Sequence, residues 1–213
     1  VDVATYERNK EAADAENKWI VNCINTGKLC VFTNTGKMHQ IKVLDIPAGK
    51  FRDKGVPIDN LCNYDSAKEY IIQVLDVQTM IHSTLLFATA KSMLKVMDGD
   101  LLNASKRTVQ ATKLSEDELV AVIVADWSEE SEDKVVLQTK DGVFLKFPYA
   151  EIPKKKKSAL GVRGMKLSKD DLITNVYVMD AQNISSIMYK EKELEFNRLK
   201  LSKRDTKGTK VRR

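Results

Sequence analysis

Histidine, cysteine, proline and glycine are all scarce in this sequence of 213 residues, and each scarcity removes a class of function. The two histidines, His39 and His82, stand far apart, with no Cys or His at zinc-ligand spacing. Neither a metal centre nor a histidine-based catalytic constellation is expected from them. Three cysteines, Cys23, Cys30 and Cys62, are odd in number and form no CxxC pair, so they read as core or half-buried thiols in a reducing cytoplasm. Nine Gly and four Pro beside 43% hydrophobic and 31% charged residues describe a soluble globular chain rather than a disordered or fibrous one. Long apolar runs are missing as well. The longest, around residues 71–75 and 120–125, fall far below the ~20 residues a membrane-spanning helix requires, so no membrane partner is expected. The amino end lacks a basic region followed by an apolar stretch, which argues against a secretory signal. It also lacks an initiator methionine, which suggests a piece of something longer.

Short motifs that could carry chemistry are weak. Gly27-Lys28 and Gly36-Lys37 lack both the earlier glycine and the following Ser or Thr of a phosphate loop. The acidic stretch at residues 126–133 lies between two strand-like runs without the ligand order of a calcium loop, and reads as an exposed solubilising loop. Asp98 with Asp100, and Asp170 with Asp171, are paired carboxylates, but they precede strands at turn positions, so turn chemistry accounts for them. No catalytic residue and no cofactor in this chain are expected.

What the sequence does have is repetition, which dictates architecture before any motif is considered. Residues 28–61 align without a gap onto residues 134–167 at an offset of 106, with nine identical positions among the 34. The identities include Gly36 with Gly142, Ile46-Pro47 with Ile152-Pro153, and Gly55-Val56 with Gly161-Val162. A middle copy lies near half that offset, where Val109 and Lys113-Leu114 correspond to Val162 and Lys166-Leu167. A fourth copy follows residue 184, with Lys207-Gly208 matching Lys54-Gly55. Each copy opens with an apolar, β-branched run, a Gly-containing turn and an alternating run, as in residues 29–33, 34–37 and 38–46. A Lys-rich loop and a closing apolar strand complete it.

Four-stranded units at a period of 40–50 residues read as propeller blades, because one small sheet cannot bury both faces without stacking on its neighbours. The expected fold is all-β, with four to five four-stranded blades in a single domain. Its units are a partial first blade at residues 1–27, blades at 28–82, 83–133 and 134–182, and a last blade with a basic tail at 183–213. Residues 6–17 are open to either a helix or a loop.

Charge is distributed unevenly over these units. Residues 1–150 hold 18 Lys/Arg against 22 Asp/Glu, whereas residues 151–213 hold 17 against 8. The basic loops recur at the same point of each copy. They contain Lys50, Arg52 and Lys54; Lys106, Arg107 and Lys113; Lys154, Lys155, Lys156 and Lys157 with Arg163 and Lys166; and Lys203, Arg204, Lys207 and Lys210. Duplex DNA is a dense line of phosphates whose counterions are released by each cation that neutralises one, so regularly spaced cations suit it as a partner. No recognition helix, zinc finger or aromatic-interleaved basic patch points to sequence reading.

The stretch Gly161-Val162-Arg163-Gly164-Met165-Lys166-Leu167, behind a basic loop and Gly142-Val143-Phe144-Leu145-Lys146-Phe147-Pro148, resembles the repeat of the C-terminal domain of the A subunit of bacterial type IIA topoisomerases. Phe32-Thr33-Asn34-Thr35-Gly36-Lys37 and Lys54-Gly55-Val56-Pro57-Ile58 resemble it too. The resemblance implies a β-pinwheel, a propeller whose blades exchange strands and whose basic rim binds, bends and wraps duplex DNA. It implies as partners the rest of the A subunit, together with the ATPase B subunit in an A2B2 assembly, in the bacterial cytoplasm at the nucleoid. The catalytic tyrosine would lie upstream, and ATP and Mg would be handled by other domains or subunits. Gyrases proper carry a basic, glycine-rich box in the first blade. The corresponding residues 6–14 here are mixed in charge and have no Gly, which resembles a topoisomerase IV-like enzyme or a divergent gyrase. The alternative reading is a protein-interaction propeller, whose Gly-Gly or Trp-Asp cues are missing.

Overall fold

The computed structural model describes residues 1–212. Asp2 accepts a hydrogen bond from the Thr5 amide at 2.6 Å and starts helix α1 (Val3–Arg8), and a second short helix, α2 (Lys10–Glu16), follows directly. The segment is Ala-rich and has no β-branched alternation, so its backbone satisfies itself locally. Of the two forms left open for residues 6–17, the helical one is adopted. Residues 1–27 contain no strand, so the expected partial first blade is not found there. No helix among the described residues is long and apolar enough to cross a membrane.

From residue 28 onward each unit opens with the expected hairpin. The first is β1 (Lys28–Thr33) with β2 (Lys37–Lys42), followed by β3 (Ile71–Asp76) and the short helix α3 (Val77–Ile81). The second unit holds β4 (Thr84–Thr89), β5 (Met93–Asp98), β6 (Thr108–Gln110) and β7 (Leu119–Val124). The third holds β8 (Lys134–Thr139), β9 (Val143–Pro148), β10 (Val162–Arg163) and β11 (Ile173–Val178). The fourth holds β12 (Ser186–Tyr189), β13 (Lys192–Glu195) and β14 (Thr209–Lys210). The hairpin turns need a left-handed residue at one position, and Gly36, Ser92 and Gly142 supply it with φ of 77°, 68° and 78°. Ser92 tolerates it because its hydroxyl and carbonyl are both engaged, accepting from the amides of Met165 and Gly164 at 2.8 and 2.7 Å.

Among the described residues the named strands pair antiparallel, with isolated parallel bridges at Val96–Lys154, Lys146–Leu201 and Met165–Thr206, and the sheet orders are β3-β1-β2-β6, β10-β5-β4-β7, β11-β8-β9-β14 and β12-β13. Against the four to five four-stranded blades expected, the described residues thus form three four-stranded sheets and one of two strands. The fourth strand of each full sheet comes from the next unit: β6 pairs with β2, β10 with β5 and β14 with β9. The boundaries at residues 82, 133 and 182 therefore separate hairpins rather than complete blades. Residues 183–213 were expected to end in a basic tail. Instead Leu201 bridges to Lys146, the Asp205 amide donates to Gly164 at 2.7 Å, and β14 completes the third sheet. The last residue of that unit, Arg213, lies outside the described residues.

Alternation along the strands sends side chains to both faces of each sheet, and the cores lie between sheets. Phe32, Cys30 and Met38 of the first sheet meet Phe87, Leu85 and Met97 of the second, with the Phe32 and Phe87 rings edge to face at 6.1 Å. Leu86, Ala88 and Val96 turn the other way, onto Val135, Leu137 and Phe147 of the third. Val136 and Phe144 in turn pack on Leu194 and Phe196 of the fourth unit. Each fully buried Phe or Leu stabilises this stack by about 1.5–3 kcal/mol. The outer face of the first sheet, with Val31 and Ile41, is covered by Ile46, Ile58, Leu61, Cys62 and Tyr64 from the loop of its own unit.

Candidate nucleic-acid interface

Strand exchange decides where the basic loops go. The second, third and fourth loops each lead into the strand that their unit donates to the preceding sheet, so they run along the edge formed by β2, β5 and β9. Lys106 and Arg107 stand immediately before β6, and the Gln40 amide donates to the Arg107 carbonyl at 2.8 Å. Lys154, Lys155, Lys156 and Lys157 lie before β10, Arg163 lies within it, and Lys166 follows. Lys203, Arg204 and Lys207 precede β14, which contains Lys210. All of these cations are exposed except Arg204, which is half-buried.

The first loop behaves differently. Lys50, Arg52 and Lys54 are exposed, but their segment pairs with no sheet edge among the described residues. It is held by a local turn in which Asp53 accepts from the Lys50 amide at 2.7 Å. Gly55 nevertheless keeps the left-handed φ of 71° seen at Gly208 and, at 94°, at Gly161, as the repeat requires.

The loops are close enough to share surface. Lys113 and Lys157, from consecutive units, line one groove of about 530 Å³ together with Thr35, Gln110, Leu114 and Ser158. Arg107 lines a second groove with Lys28 and Lys42 of the first hairpin. Those two lysines were not among the sequence candidates, because they lie in the opening hairpin and not in a Lys-rich loop.

Not every cation is free for an outside anion. Lys154 pairs with Asp98 at 2.8 Å and lies 5.8 Å from the centroid of the Trp127 ring. Arg163 donates to both oxygens of Asp205, which raises its pKa above the ordinary guanidinium value and holds the carboxyl of Asp205 below its own. Arg204 is a brace: its Nε donates to the Glu151 carbonyl at 3.0 Å and its Nη1 to the Arg163 carbonyl at 2.6 Å. Lys155, Lys156 and Lys157 form no ion pair among the described residues.

Two buried groups were not singled out by sequence reasoning. Lys95, on β5, is only 1% exposed, and its Nζ donates to the carbonyls of Lys157 and Ala159, both at 2.8 Å, and of Lys156 at 3.4 Å. Burial pushes its pKa down to about 8. A lysine within Met93-Leu94-Lys95-Val96-Met97 was the available signal. Glu69 is the second. It accepts from His39 at 2.7 Å, from Thr33 at 2.7 Å and from Thr35 at 3.0 Å, while His39 also meets Thr108 at 2.8 Å. Of the paired carboxylates, Asp171 serves a turn, accepting from the amides of Asp141 and Leu172 at 3.1 and 2.9 Å, whereas Asp98 ends β5 and its carboxylate pairs with Lys154.

Comparison with known proteins follows the same repeat. The model of the DNA gyrase C-terminal domain, beta-propeller, matches residues 27–74, 83–126 and 133–178, one block for each of the first three opening hairpins. The DNA gyrase A subunit of Chlamydia pneumoniae is 31% identical over 159 residues, covering 72% of this chain and 18% of that protein. Its counterpart in Lawsonia intracellularis is 30% identical over 163 residues, covering 75% and 19%. The chain thus spans about a fifth of the length of the curated relatives it matches. Among solved structures, the C-terminal domain of DNA topoisomerase IV superposes with a TM-score of 0.81 at 20% identity, over 99% of this chain and 68% of that one. The E. coli ParC C-terminal domain gives 0.68 at 18%, over 88% and 78%. The matched blocks carry the opening hairpins of the first three units, and the chain belongs to the DNA gyrase C-terminal domain family, a beta-propeller.

Proposed function

We propose that this chain binds and bends double-stranded DNA without reading its sequence, as the C-terminal domain of the A subunit of a type IIA topoisomerase. In that role it steers the DNA segment that the parent enzyme passes through a break. The observation that carries the reading is the recurrence of exposed cations in the loops before β6, β10 and β14, all along the same edge of successive sheets. A run of phosphates crossing those edges would meet a cation cluster from each unit in turn, and each neutralised phosphate releases counterions. Family membership supports the assignment to an A subunit. On this reading the partners beyond DNA are the remainder of that subunit together with an ATPase B subunit in an A2B2 assembly. The chain needs no cofactor, ATP and Mg are handled elsewhere, and the working compartment is the bacterial cytoplasm at the nucleoid.

The test replaces Lys154, Lys155, Lys156 and Lys157 with Ala and measures duplex affinity against salt, together with DNA bending. Binding should weaken about equally for all sequences, and the slope of log affinity on log salt should flatten by roughly 0.9 for each phosphate no longer neutralised. Replacing Lys134 and Lys140, in the opening hairpin of the same unit, should matter less. A loop variant that binds and bends DNA like the parent would overturn the reading in favour of a protein-interaction scaffold.

A further inference from the structure

We infer that Lys95, a residue shielded from solvent, is a positioning residue for the DNA contact made by the loop at residues 153–159. The inference rests on the DNA-binding reading of that loop and assigns it a device that sets its shape.

The loop is fastened to β5 at both ends. At its start, the Val96 amide donates to the Pro153 carbonyl at 3.2 Å and the Lys155 amide to the Val96 carbonyl at 2.7 Å, while Lys154 pairs with Asp98. At its end, the ammonium of Lys95 gathers the carbonyls of Lys156, Lys157 and Ala159. Between these anchors lie Lys155, Lys156 and Lys157, the loop cations without an ion-pair partner. Drawing three carbonyl oxygens inward removes the negative ends of three peptide dipoles from the solvent side. A phosphate approaching there meets side-chain ammonium groups rather than carbonyl oxygens.

The cost of this arrangement argues that the loop shape is what it serves. A buried ammonium with no carboxylate partner carries a desolvation penalty that carbonyl hydrogen bonds only partly offset. An apolar residue of similar length would fill the same space without that penalty, and the neighbours Leu94, Val96 and Met97 are apolar. The neighbouring sheets repeat the arrangement. From β2, Gln40 Nε2 donates to the carbonyls of Ala104 at 2.9 Å and Lys106 at 2.5 Å, at the second basic loop. From β9, the buried Lys146 Nζ donates to the Phe196 carbonyl at 2.8 Å. In each case the second strand of a hairpin sends a donor to the segment following the next hairpin.

The experiment compares four proteins over the full chain: the parent, Lys95→Met, the Lys154–157→Ala quadruple, and the combination. Affinity for a mixed-sequence duplex is measured as a function of salt, and the rate of tryptic cleavage within residues 154–157 is followed in the first two. Lys95→Met should lower affinity about fivefold at 0.15 M salt, flatten the salt slope and speed cleavage of the loop. In the quadruple background the same substitution should be silent, because the groups it positions are already gone. If Lys95→Met binds DNA like the parent, or loses the same factor in both backgrounds, the inference is overturned. A quadruple that itself binds like the parent overturns the DNA-interface reading instead, which keeps the two failures distinct. Should Lys95→Met lose the parent's near-UV circular dichroism, Lys95→Gln, which retains an N–H donor of shorter reach, is put through the same cycle with the same deciding outcomes.

Discussion

Arg163 donates to both carboxylate oxygens of Asp205, Nε–H to Oδ1 at 2.5 Å and Nη2–H to Oδ2 at 3.2 Å, and so ties the third basic segment to the fourth. The pair is exposed, so its contribution to stability is small, but it neutralises a cation at the proposed interface. Asp205→Asn should therefore tighten duplex binding and steepen the salt slope by roughly 0.9 as Arg163 becomes available to a phosphate. Asn tolerates the left-handed φ of 63° at this position, so the backbone is preserved. Unchanged affinity and slope in a salt titration would place Arg163 outside the contact. Because the carboxyl of Asp205 is held below its ordinary value, the pair is intact above pH 3.8 and opens as pH falls through the lowered value.

Removing Glu69 should unsettle the first sheet. Burial pushes its carboxyl up, but hydrogen bonds from Thr33, His39, Thr35 and the Asp65 amide outweigh that and leave it below the usual carboxylate value. Glu69→Ala strands buried partners and should cost about 3 kcal/mol in a denaturant titration. A group with a depressed folded pKa contributes stability above its unfolded value, here 4.5, and loses it as pH falls through the folded one. Glu69→Gln should therefore show a weaker acid dependence than the parent, and equal acid profiles would exclude this role.

The thiols should react in an order set by burial. Cys30 is fully buried, and burial, aided by the charge of Asp76, raises its pKa to about 12, so it holds almost no thiolate at pH 8. Cys23 is half-buried and should be labelled first by a thiol reagent in the native protein. Labelling of Cys30 should wait for unfolding. Mass spectrometry of peptides from the two sites reads the order, and prompt native labelling of Cys30 would contradict the packing between the first two sheets.

Strand exchange can be probed through equivalent glycines. Gly161 has φ of 94° at the start of the donated strand β10, where a Cβ would strike the Leu94 carbonyl. Gly55 has φ of 71°, with no atom within 4 Å of the same position. Gly161→Ala should cost about 3 kcal/mol, combining strain with the clash, whereas Gly55→Ala should cost about 1–2 kcal/mol for the backbone conformation alone. Thermal unfolding of the two variants checks the difference, and equal losses would mean that β10 is not held tightly on β5.

Much of this protein is legible in its sequence because the repeat writes local geometry at fixed spacing. Gly36 and Gly142 mark the same left-handed turn, the flanking alternation marks the two-faced strands, and the Lys-rich loops recur between them. Those are properties of neighbouring residues, which periodicity reports directly. Helix was legible only as one of two options, and only for residues 6–17, since a short Ala-rich segment carries no long periodic apolar face to betray it.

Tertiary structure alone decided which hairpin receives which strand. Val162 and Arg163 belong by sequence to the third unit, yet they complete the second sheet, because the free edge that can satisfy their backbone groups is β5. The same long-range choice made Arg204 a brace rather than a free cation, paired Arg163 with Asp205 across 42 residues, and placed Lys95 beneath a loop more than 60 residues away. No local pattern encodes such contacts. They depend on which backbone carbonyls are left without donors once the sheets have stacked.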